Sequence, residues 1–94
     1  LRDMSIEERL QKTVSKMIRI VRAETGASGL YKDMLLSMLP NSSHKVNMSY
    51  WCYKADRDDF ETMIELMKLS NTDLIFEYEK ILQPYKQELL KTNI

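Results

Sequence analysis

Between Gly29 and Pro40 the chain carries Leu30, Tyr31, Met34, Leu35, Leu36, Met38 and Leu39, with only Lys32, Asp33 and Ser37 polar among them. At helical spacing these apolar residues cover most of a helix's circumference. A helix apolar nearly all round has to be surrounded by other elements. The rest of the 94-residue chain must therefore wrap it, and that length supplies one core and no second. Ala27 or Ser28 opens the helix. Pro40 ends it, because the residue before a proline avoids helical geometry.

The flanking segments read as helices too. Ser5-Ile6-Glu7-Glu8 is a capping box, in which the serine accepts an amide three residues on and Glu8 reaches back. Ile6, Leu10, Val14, Met17, Ile18 and Val21 follow at steps of three and four, which predicts a helix over about 6–25 with Gly26 as its left-handed stop. Asn41 to Ser43 form a loop by composition. Val46, Met48 and Tyr50 alternate with polar residues, but one strand cannot make a sheet, so this stretch is expected to be an extended connector. Ser49 is placed to cap a short turn through Cys52 and Tyr53.

A third helix is expected from Asp56–Asp59, with Asp58-x-x-Glu61 as its cap pattern and Phe60, Met63, Ile64 and Met67 as its apolar face. Ser70 to Thr72 would cap a fourth, with Leu74, Ile75, Tyr78, Ile81 and Leu82 inward. Pro84 suits the first position of a new turn. Tyr85 and Leu89 continue the face beyond it, which predicts a kink. Residues 1–4 and the tail from about Lys91 are expected to fray. The expected fold is all-α: one domain over 1–94, four to five helices around a central apolar helix, and one short extended connector.

Few chemistries survive inspection. Cys52 is the single cysteine, so no internal disulfide can form, and a reducing, cytoplasmic setting is expected. No stretch approaches the roughly 18–20 apolar residues of a membrane span. The N-terminus lacks an apolar signal region, and Met4-Ser5 reads as a natural start with residues 1–3 an extension. Cys52 and His44 are the only soft nucleophile and the only imidazole. Nothing beside them supplies an orienting group or an oxyanion hole, and a buried thiol with a surface imidazole is expected. Asp56-x-Asp58-Asp59 hints at calcium, yet Phe60 takes a ligand position and no glycine follows; helix capping explains these acids better. Zinc needs more His or Cys, and Gly26-Ala27-Ser28-Gly29 fits no phosphate loop. No catalytic residue, metal or cofactor is expected, and the chain does not read as an enzyme.

The charge is more informative along the chain than in total. Fourteen basic and fourteen acidic residues cancel. Resolved by segment, residues 1–25, 26–54 and 80–94 carry +2 each, while 55–79, with two basic and eight acidic residues, carry −6. On the first helix Arg9, Lys12, Lys16 and Arg19 form one strip opposite the apolar face. On the third, Asp58, Glu61 and Glu65 form another. Either strip can be a solvated face. The basic one could instead follow a phosphate backbone, and the acidic one could meet a basic groove on another protein.

Tyr50-Trp51-Cys52-Tyr53 concentrates the aromatics. Trp51 suits the core of a small domain, leaving Tyr50 and Tyr53 as candidate interface anchors. Phe76 lies on the far side of its helix from Leu74, Tyr78 and Ile81, so Phe76, with Tyr85, is a candidate homodimer contact. The seven methionines fall mostly on core faces, where they would supply adaptable packing; the alternative is a soft protein-binding surface.

Leu35-Leu36-Ser37, Lys45-Val46-Asn47-Met48 and Asp58-Asp59-Phe60 before a helix resemble a pattern in small uncharacterised proteins carried by phages and plasmids. The resemblance covers about residues 30–70 and brings no catalytic residues. It implies a mobile-element accessory protein, a class that includes inhibitors of host defence systems such as CRISPR complexes. The expected function is a non-enzymatic protein-interaction module using Tyr50, Tyr53, Asp58, Glu61 and Glu65. The rivals are a nucleic-acid binder using Arg9, Lys12, Lys16 and Arg19, and a structural homodimer joined through Phe76 and Tyr85.

Overall fold

The Ser5 hydroxyl accepts from the Glu8 amide at 3.1 Å, and α1 (Ile6–Arg22) begins there. The computed structural model describes residues 5–70 and 74–92. Leu10, Val14, Met17, Ile18 and Val21 form the buried face of α1, the expected stripe apart from Ile6, which is exposed. The helix stops earlier than its sequence suggests. The Ala23 amide closes on the Arg19 carbonyl, and Glu24 takes the left-handed conformation, with φ of 53°. The stop is therefore Glu24 and not Gly26. The last inward residue, Val21, fixes where the chain must turn, and the turn comes too soon for the glycine to serve.

Ser28 is fully buried, and its hydroxyl donates to the Ile20 carbonyl at 2.7 Å. That bond ties the start of α2 (Ser28–Ser37) to the end of α1. Leu30, Tyr31, Met34, Leu35 and Leu36 of α2 are buried. The connector that follows leads to α3 (Met48–Lys54). Its cap is Asn47, whose side chain accepts from the Tyr50 amide, and not Ser49. The alternation at Val46, Met48 and Tyr50 is no strand; Met48 and Tyr50 are already helical.

α4 (Arg57–Leu69) opens on a reciprocal capping box between Asp56 and Asp59, at 2.9 and 3.1 Å, and not on Asp58 and Glu61. Its buried residues are Thr62, Met63, Leu66 and Leu69. Of the expected face, Met63 is buried and Phe60 packs against the core, but Ile64 and Met67 point to solvent, 45% and 49% exposed, because α4 lays Leu66 and Leu69 on the core. Ser70 closes α4, donating to the Leu66 carbonyl, instead of opening the next helix. The remaining cap candidates, Asn71 and Thr72, lie outside the described residues.

α5 (Ile75–Leu82) passes into a 3-10 turn at Gln83–Tyr85 holding Pro84, and then into α6 (Lys86–Lys91). This is the expected kink. Tyr78, Leu82 and Leu89 keep one buried line through it. Lys91 is helical, and Thr92 is tied at both ends: its hydroxyl donates to the Glu88 carbonyl and its own carbonyl accepts from Lys32 Nζ at 2.9 Å. The chain is thus held through Thr92 rather than frayed from Lys91. Residues 1–4 and 93–94 lie outside the described set.

Taking α5, the 3-10 turn and α6 as one interrupted rod, the described residues form five helical rods and no strand. α2 is the central one. It packs on α1 and α6. The Tyr31 ring meets Trp51 of α3 edge-on, 5.7 Å between centroids, and its hydroxyl donates to Asp59 of α4 at 2.6 Å. The Leu35 carbonyl accepts from Tyr78 of α5. The radius of gyration, 12.8 Å, matches the roughly 12–13 Å of a single compact domain this long.

Candidate protein-interaction surface

The two charged strips meet. Arg9 pairs with Glu65 at 2.5 Å, and Lys16 with Asp58 at 3.5 Å. Lys16 also donates to the Thr62 hydroxyl at 3.0 Å, which in turn donates to the Asp58 carbonyl. Ascending positions on α1 pair with descending ones on α4, so the two helices run antiparallel. Thr13, Lys16, Asp58, Glu61, Thr62 and Glu65 line a shallow polar cleft of about 210 Å³ between them. Half of the basic strip and two of the three acidic candidates are thus engaged with each other. Glu61 is exposed and forms no ion pair among the described residues.

Lys12 and Arg19 remain. Both are exposed, and neither joins an ion pair among the described residues. They line a groove with Ser15, Ile18, Arg22 and Tyr85, where α1 meets the α5–α6 rod. Arg22 forms a two-pronged bond to Glu88, 2.8 Å on each prong, and its guanidinium lies 5.5 Å from the centre of the Tyr85 ring. The hydrogen bond from Arg22 holds the Glu88 carboxyl below its ordinary range, and Glu88 raises Arg22 in return. Tyr85 is half-buried, while Phe76 is 63% exposed. Of the two dimer candidates, Phe76 is the open one.

Trp51 is a core residue, 1% exposed, set between Tyr31 and Phe60. Tyr53, on the same short helix, is 83% exposed, and Tyr50 is 50% exposed. Eight large apolar side chains are exposed among the described residues, and five of them, Met48, Tyr50, Tyr53, Ile64 and Met67, belong to α3 and α4. The tyrosines are legible as interface candidates in the sequence, whereas Ile64 and Met67 are not, because their spacing places them on the expected inward face. The spacing of Thr62, Met63, Leu66 and Leu69 was the signal that fixes the inward face instead.

The remaining candidates stay apart. Cys52 is an exposed thiol, not the buried one expected, because the helix turns Trp51 inward and leaves its neighbour outside. His44 Nε2 lies 3.3 Å from Asp33, and no hydrogen bond joins it to Cys52 among the described residues. Asp56 and Asp59 are occupied in capping, and no group of three or more His, Cys, Asp or Glu residues is poised for a metal among the described residues. No described helix is long and apolar enough to cross a membrane. No family model, curated protein or solved structure matches the chain.

Proposed function

We propose that this chain is a non-enzymatic protein-interaction module that meets its partner through α3 and α4. The observation that carries the reading is the concentration of exposed apolar and aromatic residues there: Tyr50, Tyr53, Ile64 and Met67 stand out of a domain whose other large side chains are mostly buried. Large apolar side chains left exposed on two successive helices are the raw material of a contact site, and tyrosines commonly anchor such sites. The acidic strip contributes less than its charge suggests, since Asp58 and Glu65 are paired with α1. The cytoplasm suits a protein with a free exposed thiol at Cys52. With the phage- and plasmid-like pattern over residues 30–70, the partner we favour is a component of a host complex.

The test is affinity capture from a host lysate with matched variants. A protein recovered by the native chain should be lost with Tyr50→Ser/Tyr53→Ser and with Ile64→Ser/Met67→Ser, and kept by Phe76→Ser. Identical recovery by all of them would overturn the reading. A second reading, a homodimer, draws on the exposure of Phe76; a monomer mass at all concentrations in light scattering, with Phe76 intact, excludes it. Nucleic-acid binding through α1 has less support, because Arg9 and Lys16 are already engaged by α4.

A further inference from the structure

Resting on the reading of α3 as part of the contact surface, we infer that residues 41–55 form a strap that undocks from the domain as one unit, with Trp51 as its latch, so that the surface has a closed and an open state. Trp51 is the one buried residue of the strap. Met48, Tyr50 and Tyr53 around it are exposed, and so is Cys52. Val46 and Ala55 touch the core but are only partly buried. Hydrogen bonding is as sparse. Among the described residues, no backbone bond of the strap reaches another helix, and one side-chain bond does, between His44 Nε2 and Asp33 of α2 at 3.3 Å. The bonds inside α3 are local, from the Tyr50 amide to Asn47 and from the Ala55 amide to Trp51. A helix of seven residues is too short to persist alone, so α3 melts when Trp51 leaves.

The rest of the domain is built without the strap. α1 packs on α2, α4 and α5, and α2 packs on α6. The end of α2 is closed by the Tyr78 hydroxyl on the Leu35 carbonyl, and α4 starts on its own capping box. The strap therefore hangs between two helix ends that are finished without it. At its entry Asn41 is left-handed, with φ of 61°; at its exit Ala55 and Asp56 are extended. Irregular positions of this kind absorb the rotation of a hinge. The walls Trp51 leaves behind stay in place: Phe60 belongs to α4, and Tyr31 is held to Asp59 at 2.6 Å.

The latch is weaker than its area. Seating the indole leaves Nε1 without a hydrogen-bond partner among the described residues, and that donor regains water on opening. Tyr50 and Tyr53 keep fixed positions relative to Ile64 and Met67 only while Trp51 is seated. A partner that reads both helices therefore binds the closed state and holds the strap down.

Hydrogen exchange of the free, full chain at low urea tests the opening without any partner. The Trp51 indole N–H and the amides of residues 50–55 should exchange through one shared opening. Their protection should be about a hundredfold or more below that of the slowest amides of α1 and α2, with a weak urea dependence. The indole is the deciding probe: fraying of α3 around a seated ring would leave it protected. An indole as protected as the slowest α1 amides overturns the inference. So does an opening in which the amides of residues 62–69 of α4 share the same protection. Trp51→Ala supplies a second arm. In that variant residues 41–55 should take random-coil chemical shifts while α1, α2 and α4 keep helical ones, and a helical α3 overturns the latch. If the variant does not fold, the exchange of the native chain decides. The two proposals fail separately: an indole that exchanges only with the core leaves the contact surface standing as a rigid one, and a failed lysate capture leaves the strap standing.

Discussion

The hydroxyl of Tyr78 donates to the backbone carbonyl of Leu35, and that carbonyl would otherwise be an orphan. The amide four residues on, Leu39, donates to Leu36 instead, because α2 has already ended at Ser37. One phenol thus closes the end of the central helix and fastens α5 to it. Burial raises the Tyr78 phenol far above its ordinary range, so it remains a donor throughout the usable pH range. Tyr78→Phe keeps the ring and leaves a buried carbonyl unpaired. The expected loss is about 1–3 kcal/mol, measured by urea denaturation with an unchanged m-value. Tyr31→Phe should cost less, since Asp59 is only half-buried and still accepts from the Asp56 amide. A Tyr78→Phe midpoint equal to the native one would show that the bond contributes nothing.

Helix existence was legible where the period was long and one-sided. α1 shows five of its six stripe residues buried, and α2 is as central as its apolar circumference requires. What escaped was decided by tertiary contact. α4 has enough apolar residues to bury either of two overlapping faces, and the one laid on the core carries Leu66 and Leu69, with Asp58 and Glu65 turned toward Lys16 and Arg9 of α1. That same rotation exposes Ile64 and Met67, so the part of the candidate site that was missed and the face that was misplaced are one error. Caps are ambiguous in the sequence where two polar residues compete. Asn47 displaced Ser49, and Asp56 displaced Asp58, because each true cap sits where the chain is still extended.

Glu24 holds the left-handed position that ends α1, a conformation that costs a residue with a Cβ about 1 kcal/mol or more. Glu24 is exposed. Glu24→Gly should therefore stabilise the domain by about 0.5–1 kcal/mol after the added freedom of the unfolded chain is subtracted. A higher thermal midpoint by circular dichroism is the expected result. Gly26→Ala tests the corollary: nothing lies within 4 Å of a Cβ there, and its φ is not positive, so it should be neutral or slightly stabilising. A loss with Gly26→Ala comparable to that of a left-handed glycine would contradict this account of the turn.

Glu61 and Glu65 are one turn apart and should behave differently on charge reversal. Glu65→Lys sets a second cation beside Arg9 and breaks the pair; as both partners remain partly exposed, the expected cost is about 0.5–1 kcal/mol. Glu61→Lys breaks no ion pair among the described residues and should stay within about 0.5 kcal/mol of native. Raising the salt concentration should narrow the gap between the two. Equal midpoints at low salt would mean that the Arg9–Glu65 pair does not hold α4 in register.

The Arg22–Glu88 bond gives the fold a pH dependence of known sign. The hydrogen bond from Arg22 lowers the Glu88 carboxyl in the folded state. The bond's contribution is therefore complete above the ordinary carboxylate range and is lost as pH falls through the lowered value. In native protein, stability should decline on acidification below about pH 4.5. Glu88→Gln should be less stable at neutral pH and converge on native at low pH. Both partners are half-exposed, so the effect is small and salt-sensitive. A Glu88→Gln deficit that persists undiminished at pH 3 would place the contribution elsewhere.

Trp51 is the one tryptophan of the chain, and its indole Nε1 is buried with no hydrogen-bond partner among the described residues. Its ring earns its place by packing, edge-on to Tyr31 at 5.7 Å and tilted against Phe60 at 6.3 Å. An unpartnered buried donor costs about 1–3 kcal/mol, which offsets part of what the ring contributes. Trp51→Phe removes the donor and keeps an aromatic edge for Tyr31, at the expense of a small void. Trp51→Ala removes the ring and costs about 3–5 kcal/mol. The phenylalanine variant should therefore recover more than half of the alanine loss in denaturant midpoint. Native fluorescence should be blue-shifted and should move red on unfolding, since the indole leaves an apolar, unbonded site for water. A Trp51→Phe loss as large as that of Trp51→Ala would mean that the indole nitrogen is satisfied in solution.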